Sequence, residues 1–299
     1  MAGIQTLDLS FFGADGLISS FLAPTDDGFV LFDSGPASCV ESVDRRVQEA
    51  GYDLGQLRAV FATHVHLDHS GGAGVLARRT GCRVFCHPKG AGHLADPGAK
   101  LLPSAERLYG DMMVPLWGRT EGVEGDALTA VADAETVTID ELEVTAWHTP
   151  GHAVHHVAWQ VGDHVATGDV AGVRFPGAEH VLPPMPPPDI DVEAWFRSLD
   201  RLRSLEPAAV MLTHFGAFTD CERHFDELED RLRRWTAIAE RLVADGSDRD
   251  ALGAELADLD ETEMQASGVP DEVAERYQRL CPVNESSTGL YRYCTLKNG

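Results

Sequence analysis

The stretch His64-Val-His66-Leu-Asp68-His69 places three imidazoles and one carboxylate within six residues. It follows the apolar run 60–63 and precedes Ser-Gly-Gly, where an extended segment must turn into a helix. On an extended segment His64 and His66 point to the same side, so both can reach one metal ion. Asp68 and His69 follow at the turn and point to a second position. Zinc and other first-row metals accept these donors, so the stretch predicts a metal site.

Three further donors follow apolar runs that predict strands. These donors are His152 after the run 142–146, Asp169 after 165–167 and His214 after 209–212. The ends of strands are where α/β sheets place their functional sites, because loops converge there on a rigid support. With the first stretch they make seven donors, enough for two metal ions and an open position between them.

The order of these motifs resembles the metallo-β-lactamase-fold hydrolase superfamily, in the branch that contains glyoxalase II and lactonases, over about residues 5–216. The resemblance implies an α/β fold, a four-layer αββα sandwich with a dinuclear site along one edge. It assigns one metal ion to His64, His66 and His152, the other to Asp68, His69 and His214, and a bridging position to Asp169. Asp33 stands where the family carries a carboxylate that supports the metal loop.

The chemistry expected of such a site is hydrolysis. Two divalent cations can share a hydroxide and make it a nucleophile at neutral pH. Asp68 lies beside that position, where it would orient the nucleophile and relay its proton, so Asp68 is the predicted catalytic residue. We expect two zinc ions, with iron or manganese as alternatives, and a small ester, lactone or thioester as substrate.

Two departures from the family weaken its best-known activities. Lactonases usually have a tyrosine three residues after the bridging aspartate, where this chain has Gly172. Glyoxalase II presents basic residues from its C-terminal helices, a region that is mostly acidic here and has Lys297 as its single lysine. Two alternatives stay open: a redox enzyme similar to persulfide dioxygenases, with one iron held by two histidines and an aspartate, and a non-catalytic binding module. The complete donor set argues against the binding module.

The net charge of −24, from 48 acidic and 24 basic residues, bears on partners and compartment. A surface this acidic repels phosphate polymers, so we expect no nucleic-acid partner. No segment approaches the ~20 apolar residues of a membrane span. The first eight residues lack the basic start of a signal peptide, and we therefore expect a cytoplasmic protein without a membrane partner. The charge fits either an ordinary acidic protein or one adapted to high salt.

The pattern along the chain predicts a catalytic domain over 1–216 and a helical appendage over 217–299. The appendage contains apolar stripes at 221–243, 248–259 and 271–280 that cannot close a core alone, which favours a homodimer with this region in the interface. The segment 89–130 follows no clear period and predicts either a lid over the site or a helical insertion.

The region after the bridging aspartate predicts one wall of the substrate pocket. Its prolines at 183–188 predict a stiff loop, and Asp189 is expected to cap a helix over 191–204. Candidate pocket residues are Trp117, Phe175, His180 and Met185.

Overall fold

The apolar runs of the N-terminal half form one sheet of six strands. In the computed structural model, which describes residues 3–297, these strands lie side by side in chain order. They are β1 (Gln5–Asp8), β2 (Ser19–Thr25), β3 (Gly28–Phe32), β4 (Leu57–Phe61), β5 (Arg83–Cys86) and β6 (Leu128–Ala130). The first three pair antiparallel, and β3 to β6 pair parallel. Parallel strands buried on both faces require apolar side chains, and Phe32, Phe61 and Phe85 stack across β3, β4 and β5 with ring centroids 5.5 and 4.9 Å apart.

The strands that follow along the chain form part of a second sheet. They are β7 (Thr136–Ile139), β8 (Leu142–His148), β9 (Val157–Val161) and β10 (His164–Ala166), each antiparallel to the next. Trp159 on β9 packs edge-on against Phe61 at 5.0 Å and donates its indole N–H to the carbonyl of Ala62. The apolar core of this part of the chain therefore lies between the two sheets.

The helices of the N-terminal half include the segment whose sequence follows no clear period. They are α1 (Val40–Glu49), α2 (Leu67–Ser70), α3 (Ala73–Thr80), α4 (Pro88–Ala95), α5 (Leu101–Tyr109) and α6 (Met113–Trp117). The segment 89–130 contains α4, α5 and α6 and is therefore helical over much of its length. Its role as a lid stays a prediction.

The described residues divide into two compact units. Unit 1 comprises those within Met1–His148 and His155–Gly168, and unit 2 those within Thr149–Val154 and Asp169–Gly299. The division at 216/217 into a catalytic domain and an appendage stays a prediction. Among residues 3–297, no helix combines the length and the apolar character needed to cross a bilayer.

Unit 2 is mainly helical. It contains α7 (Val192–Ser204), the hairpin of β11 (Ala209–Leu212) and β12 (Gly216–Phe218), then α8 (Cys221–Ala244), α9 (Arg249–Ala266), α10 (Asp271–Leu280) and α11 (Val283–Lys297). The prediction that Asp189 caps the first of these helices is wrong. Asp191 is the cap, because the helix begins at Val192 and the Asp191 carboxylate accepts the backbone N–H of Ala194 at 2.9 Å.

Candidate metal centre

Four of the seven predicted donors lie in unit 1, in two adjacent pairs. His64 Nε2 is 2.9 Å from His66 Nδ1, and His69 Nε2 is 3.6 Å from Asp68 Oδ2. Two ligands bonded to one tetrahedral ion at about 2.0–2.1 Å lie about 3.3–3.4 Å apart. The separation of 3.6 Å between His69 and Asp68 lies near this value, and the 2.9 Å between His64 and His66 is shorter, so the members of each pair are close enough to bind a common cation. The short turn of α2 produces the second pair, since it begins directly after His66.

Asp33 orients two of these histidines. Its Oδ2 is 2.7 Å from His69 Nδ1, and it also accepts hydrogen bonds from the backbone N–H and the hydroxyl of Thr63. The Thr63 hydroxyl has one proton, which goes to Asp33, so its oxygen accepts the Nδ1–H of His64 at 3.1 Å. Nε2 of His64 and Nε2 of His69 are thereby left as metal donors. Such partners fix the tautomer and the ring orientation of metal-binding histidines.

The other three donors lie in unit 2 and centre on one carboxylate. Asp169 Oδ2 is 3.4 Å from His152 Nε2, and Asp169 Oδ1 is 3.5 Å from His214 Nε2. These distances exceed the 2.7–3.2 Å of good hydrogen bonds but match the separation of two ligands on one cation. Each oxygen of the buried Asp169 therefore faces a different histidine, as a carboxylate that bridges two cations would require.

Contacts within unit 2 set the orientation of His152. Its Nδ1 lies 2.8 Å from the carbonyl of Pro184, which can only accept, so Nδ1 carries the proton and Nε2 is the donor available to a metal. The ring packs edge-on against Trp195 at 5.9 Å. The preceding Gly151 has φ +149°, and a Cβ there would lie 2.5 Å from the Trp195 backbone, so this approach requires glycine.

The turn that carries Asp169 and the turn after β11 that carries His214 are held by further contacts of the same unit. Trp195 Nε1 donates to Val170 O at 2.6 Å, and His224 Nε2 donates to Ala171 O at 2.7 Å. Burial lowers the pKa of His224 to about 4, so its ring is neutral at pH 7. The backbone N–H of Arg174 donates to His214 O at 2.8 Å.

The donor chemistry fits a divalent cation of the zinc type. Four of the five histidines are buried, and for three of them a carbonyl, carboxylate or hydroxyl oxygen takes the proton of the other ring nitrogen. Neutral imidazoles held in this way, together with carboxylates, are the set that zinc, iron and manganese bind. The structure thus contains clusters of histidine and aspartate that could hold a metal ion.

The four residues predicted for the substrate pocket occupy packed positions. Trp117 stacks on Phe11 with ring centroids 5.5 Å apart in unit 1. In unit 2, Phe175 packs edge-on against Tyr277, and His180 Nε2 lies 2.8 Å from Asp260. Met185 is fully buried. Their role toward a substrate stays a prediction.

Sequence reasoning missed Thr63, Trp195 and the pair His155–His156. Thr63 directly precedes the candidate metal-binding stretch, and a hydroxyl at that position is the signal that could have revealed it. The pair follows the Thr-Pro-Gly-His turn, and the buried His156 ring stacks 5.1 Å from His64 in unit 1. Trp195 carries no local signal, because its contact with His152 joins residues 43 positions apart.

Comparisons with known proteins agree on one family. The profile of the metallo-beta-lactamase superfamily matches residues 13–214. A metallo-beta-lactamase fold-containing protein of Sulfurisphaera tokodaii is 32% identical over 165 residues, which are 54% of this chain and 62% of that protein. The chain thus spans less than two thirds of that relative.

Two further proteins match over more of the chain. A hydroxyacylglutathione hydrolase of Acidiphilium cryptum is 29% identical over 243 residues, 78% of this chain and 76% of that protein. The structure of a metallo-beta-lactamase family protein from Thermus thermophilus superposes with a TM-score of 0.72 at 18% identity, covering 100% of this chain and 95% of the other. This last likeness shows the fold.

Proposed function

The chain belongs to the metallo-beta-lactamase superfamily, and on that premise we propose that it is a dinuclear metal-dependent hydrolase of a small ester, lactone or thioester. The observation that carries the proposal is the Asp169 carboxylate, with one oxygen facing His152 and the other facing His214. We propose that these three residues, together with His64, His66, Asp68 and His69, hold two divalent cations. Zinc is the proposed metal, because histidine nitrogens dominate the set.

The protein's own residues would prepare the site and move the proton. When bound, two cations lower the pKa of a water molecule and polarise the substrate carbonyl. Asp33 and Pro184 hold His69 and His152 in the tautomer that leaves Nε2 as a donor. Asp68 is about one quarter exposed, so it can exchange a proton with solvent, and we assign it the proton transfer to and from the attacking water.

A thioester is the preferred member of the proposed substrate class. The support is the Acidiphilium relative, a hydroxyacylglutathione hydrolase that aligns over 76% of its length. The acidic C-terminal region argues against glutathione itself, because a carboxylate-bearing leaving group would meet repulsion there. We therefore propose a thioester, ester or lactone whose leaving group carries little negative charge.

Compartment and assembly complete the proposal. All six cysteines are buried free thiols, as a reducing compartment would keep them, and we propose that the protein works in the cytoplasm. We also propose a homodimer with residues 217–299 at the interface.

The decisive experiment combines metal analysis with a substrate panel. Freshly purified protein is measured for zinc, iron and manganese, and then assayed on thioesters, esters, lactones and phosphodiesters. About two equivalents of zinc-like metal with turnover of an acyl substrate is the expected result. One equivalent of iron with persulfide oxidation would support the redox alternative, and a metal-free protein without turnover would contradict both.

A further inference from the structure

The loop that holds His152 is itself held by the C-terminal helix. The carbonyl of Pro184 accepts the Nδ1–H of His152 at 2.8 Å, so the position of this carbonyl decides where Nε2 points. Pro184 lies in the proline-rich loop 183–188, which supplies few backbone N–H groups of its own to hold it in place. Its geometry must therefore be set by whatever packs against the loop.

Helix α11 contacts the loop on both sides of Pro184. The Ser286 hydroxyl donates to the carbonyl of Pro183 at 3.3 Å and accepts the backbone N–H of Met185 at 3.2 Å. It thus bonds the residue before Pro184 and the residue after it. Ser286 is only 2% exposed, so water cannot replace these bonds when the hydroxyl is lost.

Gly289 continues the same contact one helical turn later. A Cβ at this position would lie 2.0 Å from the carbonyl oxygen of Met185 and 3.0 Å from Pro186 C. Only a residue without a side chain lets the helix approach the loop this closely. Ser286 and Gly289 lie three positions apart, on one face of α11, and that face is pressed against residues 183–186.

We infer that Ser286 and Gly289 are positioning residues for His152, acting through the Pro184 carbonyl. This inference rests on the proposed metal site. In this arrangement α11 sets the affinity of the cation that His152 binds, although helix and histidine lie far apart in the sequence. A residue that helps to orient a metal-binding histidine typically contributes ~10–100-fold to metal affinity.

The test compares two adjacent serines. Ser287 is also 2% exposed, but its hydroxyl donates to Asn284 O within α11 and not to the loop. We expect Ser286→Ala to weaken binding of one of two Zn²⁺ ions by ~10-fold in a chelator competition, while Ser287→Ala keeps wild-type affinity. Activity of Ser286→Ala should recover at high Zn²⁺ with kcat near wild type, and Ser286→Thr, which keeps the hydroxyl, should restore the affinity.

Gly289→Ala provides an independent arm. The new Cβ should displace the Met185 carbonyl and weaken the binding of the same Zn²⁺ ion. Gly92→Ala in α4 is the control and should keep wild-type affinity, because a Cβ there meets no atom within 4 Å. Metal stoichiometry is measured on the folded fraction, so that a variant that merely unfolds is not mistaken for one with lower Zn²⁺ affinity. Equal Zn²⁺ affinity in Ser286→Ala and Ser287→Ala overturns the inference and leaves the proposed function standing. Wild-type protein without Zn²⁺ affinity or hydrolysis overturns the proposed function instead.

Discussion

The Asp33 carboxylate lies 2.7 Å from Nδ1 of His69, and both side chains are buried. The same carboxylate accepts the hydroxyl proton of Thr63, whose oxygen lies 3.1 Å from Nδ1 of His64. One acidic side chain therefore orients two histidines that we assign to different cations. Loss of the Asp33 carboxylate should therefore weaken the binding of both cations.

We expect Asp33→Asn to lower zinc affinity by ~10–100-fold while the protein stays folded. Asp33 has φ +56°, a conformation that asparagine tolerates, so the backbone is not the cause of the effect. The amide loses the negative charge and one acceptor oxygen. Asp140→Asn is the matched control, because Asp140 also has positive φ and lies in a turn that pairs with Arg58. Chelator competition on both variants measures the difference, and equal affinities would contradict the role of Asp33.

Asp169→Asn should remove turnover and reduce bound metal. An amide presents one oxygen and no charge, so it cannot face His152 and His214 equally. We expect hydrolysis to fall at least ~100-fold, since a direct ligand matters no less than the partners that orient it. Metal analysis and activity on the best substrate of the panel measure it. Near-normal turnover in a folded variant would rule out the dinuclear mechanism.

Acid should destabilise the protein partly through His224. Burial lowers its pKa to about 4, whereas the unfolded chain takes up the proton near 6.5. Between these values the unfolded state binds more protons, so this contribution to stability is present above pH ~6.5 and is lost as the pH falls toward ~4.

The variant His224→Gln tests this contribution. It keeps an N–H donor for Ala171 without a titrating group, and should therefore lose less stability between pH 7 and pH 5. Thermal unfolding of metal-free protein is the measurement, because protons compete with metal ions for their ligands and release of a metal would add a pH dependence of its own. The pH slope of the wild-type protein is the reference, and an unchanged slope in His224→Gln would contradict the role of His224.

Salt should stabilise the protein. Raising KCl from 0.1 to 1 M shortens the screening length from ~10 Å to ~3 Å and weakens the repulsion within a net charge of −24. Exposed ion pairs such as Arg78–Glu121 weaken as well, but 48 acidic residues outnumber 24 basic ones, so repulsion dominates. A higher unfolding midpoint in 1 M KCl is expected. A flat or falling midpoint would leave the ordinary acidic-protein interpretation.

Light scattering should show a mass of twice 32.4 kDa. The structure removes part of the sequence argument for this expectation, because the apolar stripe of α8 is covered within the chain itself: Leu232 and Trp235 are fully buried. Truncation near Asp220 would also remove Tyr277, which bonds the loop at His180, and would disturb unit 2. The intact chain is therefore the sample to measure, and a monomeric mass would contradict the dimer.

The sequence by itself was sufficient for the family and the fold class, and both predictions are confirmed. The candidate metal site at 64–69 could be predicted because its donors are neighbours in the sequence, and strands and helices could be placed because apolar residues repeat with the period of each element. Helix α10, predicted over 271–280, occurs at those residues. The predicted cap at Asp189 is wrong, because the apolar pattern of α7 does not say which of the two aspartates, 189 or 191, directly precedes the helix.

Only the tertiary structure decided how the donors are held. The bonds of Asp33 to His69, of Pro184 to His152 and of Ser286 to Met185 join residues 36, 32 and 101 positions apart. No local pattern encodes such pairs, because a hydroxyl can donate to or accept from any suitable partner, and a carbonyl can accept from any donor, that folding brings within about 3 Å. Which nitrogen of His64, His69 and His152 can serve as a metal ligand is therefore a property of the packed chain.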